Sequence, residues 1–112
     1  MKPIHPIEIP KGFVLYQNYP NPFNPTTHIQ FSTDKVAQIH VTVYDVLGRE
    51  LRTLANGTYF PGLFTVEWDG TNVQGSGVPS GVYYIRMTAT TLSGDEESSK
   101  RYSVTRKMLM MK

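Results

Sequence analysis

The chain has 112 residues, which is enough for one small domain with its own core and too few for two domains of ordinary size. A formal net charge of +2 excludes the strongly basic class of nucleic-acid-binding proteins, so we expect no nucleic-acid partner. The chain contains no cysteine, which excludes disulfides, thiolate metal sites and cysteine nucleophiles.

The amino-acid composition favours β-structure. The chain has 12 threonines, 10 valines and 13 aromatic residues, and these side chains suit a pleated, half-buried surface. Frequent glycine and proline residues, 9 and 8 in number, divide it into short segments. An all-β fold is therefore predicted before any motif is considered.

Two proline-rich stretches open the chain. Residues 1–11 contain three prolines and are predicted to be an extended linker that follows another segment and leads into a domain over residues 12–112. In the second stretch, residues 18–25, each residue before a proline is biased toward extended backbone, and asparagine side chains close turns. This stretch predicts a rigid loop anchored by Phe23, built from Pro20, Asn21, Pro22, Asn24 and Pro25.

The remainder of the chain shows apolar residues at alternate positions, which is typical of half-buried strands. Strands are predicted around residues 13–16, 27–32, 39–44, 50–54, 64–68, 83–89 and 102–110, with a tight turn at 46–49 and a hairpin turn at Asn56-Gly57. Seven strands separated by regular turns predict a seven-stranded antiparallel immunoglobulin-like β-sandwich. Trp68 is expected in its core.

Groups that could carry catalysis are sparse. The three histidines, His5, His28 and His40, do not have the spacing of metal ligands, and strand alternation makes His28 and His40 solvent-exposed. The loop at 69–75 lacks the regular acidic spacing of a calcium loop and is interpreted as turns closed by Asp and Asn side chains. We expect no metal, no cofactor and no enzymatic activity.

The segment from Lys100 to Lys112 stands apart in charge, with five basic residues and no acidic one around an apolar run at 108–111. One interpretation is a final strand whose charges protect a sheet edge. The other is a terminal strand presented to a receptor, for which methionine offers an adaptable contact. An open terminal strand would also allow a homodimer.

Five segments together resemble one family. The segments are NYPNPFNPTT at 18–27, VYDVLGR at 43–49, WDG at 68–70, GVPSGVYY at 77–84 and TRKMLMMK at 105–112. In this order they are similar to the signatures of the C-terminal sorting domain of the bacterial type IX secretion system. They also resemble the related immunoglobulin-like domain of the flagellar hook-capping protein. The apolar run departs from the family pattern by using methionine.

The resemblance implies a secretion tag. Such a domain directs an N-terminal cargo through the periplasm, engages the outer-membrane translocon and a shuttle protein, and is processed by a cell-surface sortase. The protein is then secreted or held at the cell surface. The resemblance assigns partner recognition to Gly48, Arg49, Lys107, Met108, Leu109, Met110, Met111 and Lys112. It assigns structural motif roles to Pro20, Asn21, Pro22, Phe23, Asn24, Pro25, Trp68, Asp69, Gly81 and Tyr83.

Two alternatives remain open at this point. The chain could be a structural immunoglobulin-like spacer, for which an apolar and basic terminal strand has no obvious use. It could also be a carbohydrate-binding module of a secreted hydrolase, which would need a row of exposed aromatic side chains. Candidates for that row are Tyr59, Phe60, Tyr84 and Tyr102.

Overall fold

The computed structural model describes residues 9–92 and 100–112, and these residues form seven strands. None of the described residues forms a helix that could cross a membrane. The strands are β1 (Phe13–Leu15), β2 (Thr27–Thr33), β3 (Ala37–Tyr44), β4 (Glu50–Tyr59), β5 (Gly62–Trp68), β6 (Gly81–Thr91) and β7 (Arg101–Met110).

The strands build two antiparallel sheets that pack face to face. One sheet has the order β1-β2-β5 and the other the order β4-β3-β6-β7. The fourth strand therefore pairs with the third strand. In an antibody constant domain, by contrast, the fourth strand joins the sheet of the first two. This arrangement confirms the predicted seven-stranded immunoglobulin-like sandwich.

The core follows the predicted alternation of apolar residues. In β3, Ile39, Val41 and Val43 are fully buried, and their neighbours on β6 continue the same inner face. His40 lies on the outer face, and His28 is half exposed beside Glu67. The largest buried side chains are Trp68, Phe23, Phe31, Leu15, Ile29, Ile39, Ile85, Met87, Met108 and Met110.

The prediction of a hairpin turn at Asn56-Gly57 is wrong. Both residues lie inside β4, where Asn56 is paired with His40 and Gly57 with Ile39. The long β3 supplies a pairing partner for the whole of β4, and this tertiary contact overrides the local turn preference of the dipeptide. The chain leaves β4 at Phe60 and Pro61, where proline cannot donate to a ladder.

Candidate functional site: the motif-bearing end of the sandwich

The alternating strand directions bring all five motif segments to one end of the sandwich. This end, called the motif end below, consists of the β1–β2 loop (16–26), the β3–β4 turn (45–49), the β5–β6 loop (69–80) and residues 111–112 after β7. The motifs are spread over more than 90 positions of the sequence, yet they form one contiguous region in space. We therefore treat the motif end as the candidate functional site.

Buried aromatic contacts hold the motif end together. The Phe23 ring lies 5.6 Å from Trp68, and Trp68 lies 5.3 Å from Tyr83 in an edge-to-face arrangement. Trp68 Nε1 donates to the Thr71 carbonyl at 2.9 Å, and the Tyr83 hydroxyl donates to the Pro79 carbonyl. Burial raises the pKa of Tyr83, and the nearby Asp45 carboxylate adds to this effect. Phe23, Trp68 and Tyr83 thus link three motif segments through packing.

The proline-rich loop closes part of the edge of β7. The Phe23 amide donates to the Leu109 carbonyl at 3.0 Å, and the Met111 amide donates to the Phe23 carbonyl at 2.9 Å. The Leu109 amide donates to Asn21 Oδ1 at 3.0 Å, and Gln17 Nε2 donates to the Lys107 carbonyl at 2.7 Å. A second chain could pair with this part of the strand only by displacing the loop, and a homodimer through the terminal strand stays a prediction.

The remaining residues of the proline-rich loop contribute to its backbone geometry and hydrogen bonds. The peptide bonds before Pro20, Pro22 and Pro25 are cis. The Pro20 carbonyl accepts hydrogen bonds from Asn18 Nδ2 and from the Thr27 hydroxyl. Asn24 is exposed.

The β3–β4 turn is organised by a carboxylate that the sequence analysis overlooked. Asp45 Oδ1 accepts the backbone amides of Leu47 and Arg49, each at 2.9 Å, and Oδ2 accepts Arg49 Nε at 2.7 Å. The backbone hydrogen bond from Arg49 is the main cause that lowers the pKa of Asp45. Gly48 has a φ of 79°, which favours glycine at this position. Arg49 is therefore held in place while most of its side chain remains exposed.

The β5–β6 loop has the predicted turns closed by Asp and Asn side chains. Asn72 Oδ1 accepts the amides of Gln74 and Ser76. Asp69 Oδ1 accepts both the amide and the hydroxyl of Thr71, and the hydroxyl contact is the main cause that lowers the pKa of Asp69. Gly81, where the loop enters β6, has a φ of 153°. No group of residues suited to a metal ion is found among the described residues.

The predicted recognition residues of the terminal segment divide between core and surface. Met108 and Met110 are fully buried, whereas Leu109 and Met111 are exposed. Lys107 and Lys112 are exposed as well, and the Lys112 amide donates to the Ser80 hydroxyl at 2.9 Å. A partner that docks on the folded domain can contact the four exposed residues. The two buried methionines can affect such binding only by stabilising the fold.

The aromatic residues considered for carbohydrate binding do not form one row. The Tyr59 ring packs against Phe31 and Phe64, and the Tyr102 ring packs against Phe13 at 4.8 Å. Phe60 is exposed between β4 and β5, at the other end of the sandwich. Tyr84 lies on β6, opposite Tyr44 and Lys107. These positions give no support to a flat aromatic platform.

Fold and sequence comparisons agree on the class of protein. The two sheets define an immunoglobulin-like β-sandwich module. The sequence model of the FlgD Ig-like domain matches residues 19–93, so the chain belongs to the FlgD Ig-like domain family. The matched residues include four of the five motif segments at the motif end, either in full or nearly so.

Curated relatives match a shorter stretch. The chain is 40% identical over 62 residues to the basal-body rod modification protein FlgD of Salmonella typhimurium, and equally to that of Salmonella typhi. The match covers 55% of this chain and 25% of the relatives. The aligned stretch thus amounts to about a quarter of the length of these proteins.

Solved structures of similar fold come from much larger proteins. Dimeric latent PorU from Porphyromonas gingivalis has a TM-score of 0.65 at 19% identity, covering 93% of this chain and 10% of PorU. PorZ from the same organism has a TM-score of 0.51 at 22% identity, covering 90% of this chain and 12% of PorZ. At these identities the similarity shows the shared fold.

Proposed function

We propose that this chain is a C-terminal sorting domain of a type IX secretion system, which directs an attached cargo across the outer membrane and to the cell surface. The observation that carries the proposal is the assembly of five separate motif segments into one end of the sandwich. PorZ, whose domain has the same fold, is described as an essential surface component of the type IX secretion system. This description supports the proposal.

In this proposal the domain is a passive substrate and has no catalytic role. Its buried aromatic contacts and the partly closed β7 edge keep the motif end rigid, so a receptor meets a preformed surface and little ordering entropy is lost on binding. The exposed side chains of Arg49, Lys107, Leu109, Met111 and Lys112 are the recognition elements. The partners are the outer-membrane translocon and its shuttle protein, then a cell-surface sortase, with the cargo on the N-terminal side.

A secretion assay tests this function. A periplasm-targeted fluorescent reporter is fused ahead of residues 1–112 and expressed in a bacterium with a type IX system and in its translocon-deleted twin. We expect surface or medium fluorescence in the first strain and periplasmic retention in the second. Retention in both strains, with the domain shown to be folded by proteolysis resistance, would contradict the proposal.

A structural role is the second candidate, and the 40% identity to FlgD favours it. In that case the domain is an immunoglobulin-like spacer that packs against a neighbouring domain. The same assay discriminates between the two functions, because a spacer leaves the folded reporter in the periplasm of both strains.

A further inference from the structure

The outer face of the four-stranded sheet contains a polar depression. It has a volume of about 250 Å³ and is lined by residues of β3, β4, β6 and β7. The lining consists of threonine hydroxyls, the Tyr44 phenol, the His40 imidazole, two guanidinium groups and one carboxylate. These described lining residues include no aliphatic side chain. Because a protein partner is usually anchored by apolar side chains, the depression suits a small polar ligand better.

Strand register brings the polar groups to one place. In the pair of β3 and β6, His40 lies opposite Thr88 and Thr42 lies opposite Arg86. Arg101, at the start of β7, pairs beside the same part of β6 and also lines the depression. The sheet thus brings two exposed arginines from different strands to the same depression.

These two arginines differ from the other three arginines of the chain. Neither Arg86 nor Arg101 donates a side-chain hydrogen bond or forms an ion pair with a residue in 9–92 or 100–112. Each of the other three donates to an acceptor within the protein: Arg49 to the Asp45 carboxylate, Arg52 to the Asn72 carbonyl and Arg106 to the Leu15 carbonyl. The two arginines that lack such an acceptor therefore line the same depression.

The available donors match a tetrahedral oxyanion. A guanidinium presents its N–H groups in a planar fork, which binds two oxygens of a phosphate or sulfate group at once. Arg86 Cζ lies 5.1 Å from the centroid of the Tyr44 ring, and this cation–π contact uses the face of the guanidinium rather than its N–H edge. The hydroxyls of Thr42 and Thr88 can donate further hydrogen bonds to an oxyanion.

The charge of the depression also favours an anion. Its two guanidinium groups face a single carboxylate, Glu50, which accepts the Thr53 hydroxyl at 3.0 Å and forms no ion pair with either described arginine. Exposed Lys107 adds a positive charge on the same face of β7. On the outer face of the other sheet, by contrast, His28 contacts Glu67 at 3.2 Å.

We propose that this depression binds a phosphate or sulfate group, either as the free ion or as a monoester. Arg86 and Arg101 hold the oxygens, and the threonine hydroxyls complete the site. Neither arginine lies in any of the five motif segments. The site lies on a sheet face and does not depend on the proposed function, so a failed secretion assay and a failed binding experiment are separate results.

A titration of the whole chain with inorganic phosphate tests the site. Backbone amide chemical shifts are followed by NMR while phosphate replaces chloride at constant ionic strength, so that screening by salt stays the same. We expect saturable shifts at the amides of residues 40–44 and 86–88 and at Arg101. Shifts that grow linearly without saturation, or saturable shifts confined to other parts of the chain, would overturn the proposal.

Charge-matched variants locate the binding. Arg86→Gln and Arg101→Gln should each weaken phosphate binding by about tenfold or more, because each removes charged hydrogen bonds to the oxyanion. Lys35→Gln removes the same charge from an exposed side chain in the turn between β2 and β3, and it should change the affinity by about twofold at most. Equal weakening by all three variants would show a response to net charge alone and would overturn the site. Urea unfolding of each variant verifies that the fold is retained.

A variant that gains affinity excludes general damage as the explanation. Glu50→Gln removes the single carboxylate of the lining and keeps an oxygen that can accept the Thr53 hydroxyl. It should therefore tighten phosphate binding several-fold. Unchanged or weaker binding by this variant would contradict placement of the anion in the depression.

Two further probes identify the source of the oxyanion. Glycerol phosphate is titrated in the same way, and vesicles of phosphatidylcholine with phosphatidic acid are sedimented with the protein. Tighter binding of glycerol phosphate than of inorganic phosphate indicates a soluble monoester, and equal binding indicates the free ion. Co-sedimentation that Arg86→Gln abolishes indicates a lipid headgroup. Co-sedimentation that Arg86→Gln and Arg101→Gln leave unchanged would overturn the depression as the lipid-binding site.

Discussion

Met110 and Met111 are adjacent in sequence and opposite in environment, which makes them a sharp test of the fold. Met110 is fully buried, whereas Met111 is 56% exposed. Truncation of a buried methionine to alanine costs about 2–5 kcal/mol, because the contacts are lost and a cavity remains. Substitution at an exposed position changes the stability by about 0.5 kcal/mol at most. We expect Met110→Ala to lower the free energy of unfolding by about 3 kcal/mol and Met111→Ala to leave it unchanged.

Trp68 provides the reporter for this measurement. It is the single tryptophan of the chain, it is fully buried, and its ring lies 5.6 Å from Phe23, which forms a bridge with Met110. Urea unfolding followed by its fluorescence gives the free energy for each variant. For a domain of this size the loss at Met110 corresponds to a decrease of about 12–24 °C in the melting temperature. Equal stability of the two variants would refute the assignment of Met110 to the core.

The burial of Met108 and Met110 changes the interpretation of a terminal deletion in the secretion assay. From the sequence, removal of residues 108–112 is expected to abolish export and to leave most of the sandwich folded. The structure argues against the retained fold, since the deletion removes two buried methionines and the hydrogen bonds that join Leu109 and Met111 to the proline-rich loop. The combined loss is comparable to the total stability of a small domain, about 5–15 kcal/mol. Loss of export by a deleted chain would then reflect unfolding, and substitutions at exposed positions are the informative variants.

Two further predictions concern glycine and acid. Gly70→Ala should destabilise the domain by about 1–3 kcal/mol more than Gly75→Ala. Both glycines have a positive φ, but only a Cβ on Gly70 would meet the Pro25 carbonyl oxygen, at 2.9 Å. Equal losses of stability in urea unfolding would contradict this prediction. The pKa of Asp45 is lowered in the folded state, so its contribution to stability is complete above the pKa of the unfolded chain and is lost as the pH falls through the folded value. The stability difference between the original protein and Asp45→Ala should therefore be constant near neutral pH and shrink below about pH 4, and a difference that grows on acidification would refute the role of the carboxylate.

The local features of the fold could be predicted because strand alternation is a local property. Side chains at alternate positions face opposite sides of a sheet, so the buried positions of β3 and β6 follow from the order of apolar residues alone. In β7 the same rule separates Met108 and Met110, which are buried, from Leu109 between them, which is exposed. The turn predicted at Asn56-Gly57 is absent because these residues pair with His40 and Ile39 of the preceding strand, and a dipeptide by itself carries no information about that pairing.

The composition and spacing of the chain by themselves determined an all-β sandwich of seven strands, a proline-rich loop anchored by Phe23 and a tight turn at 46–49. Only the tertiary structure decided how the motifs meet. The Leu109 amide reaches Asn21 across 88 positions of the chain, and Arg52 of β4 donates to the Asn72 carbonyl in the β5–β6 loop. Such contacts depend on sheet pairing and packing of the whole sandwich, because no local pattern specifies which loops become neighbours at its end.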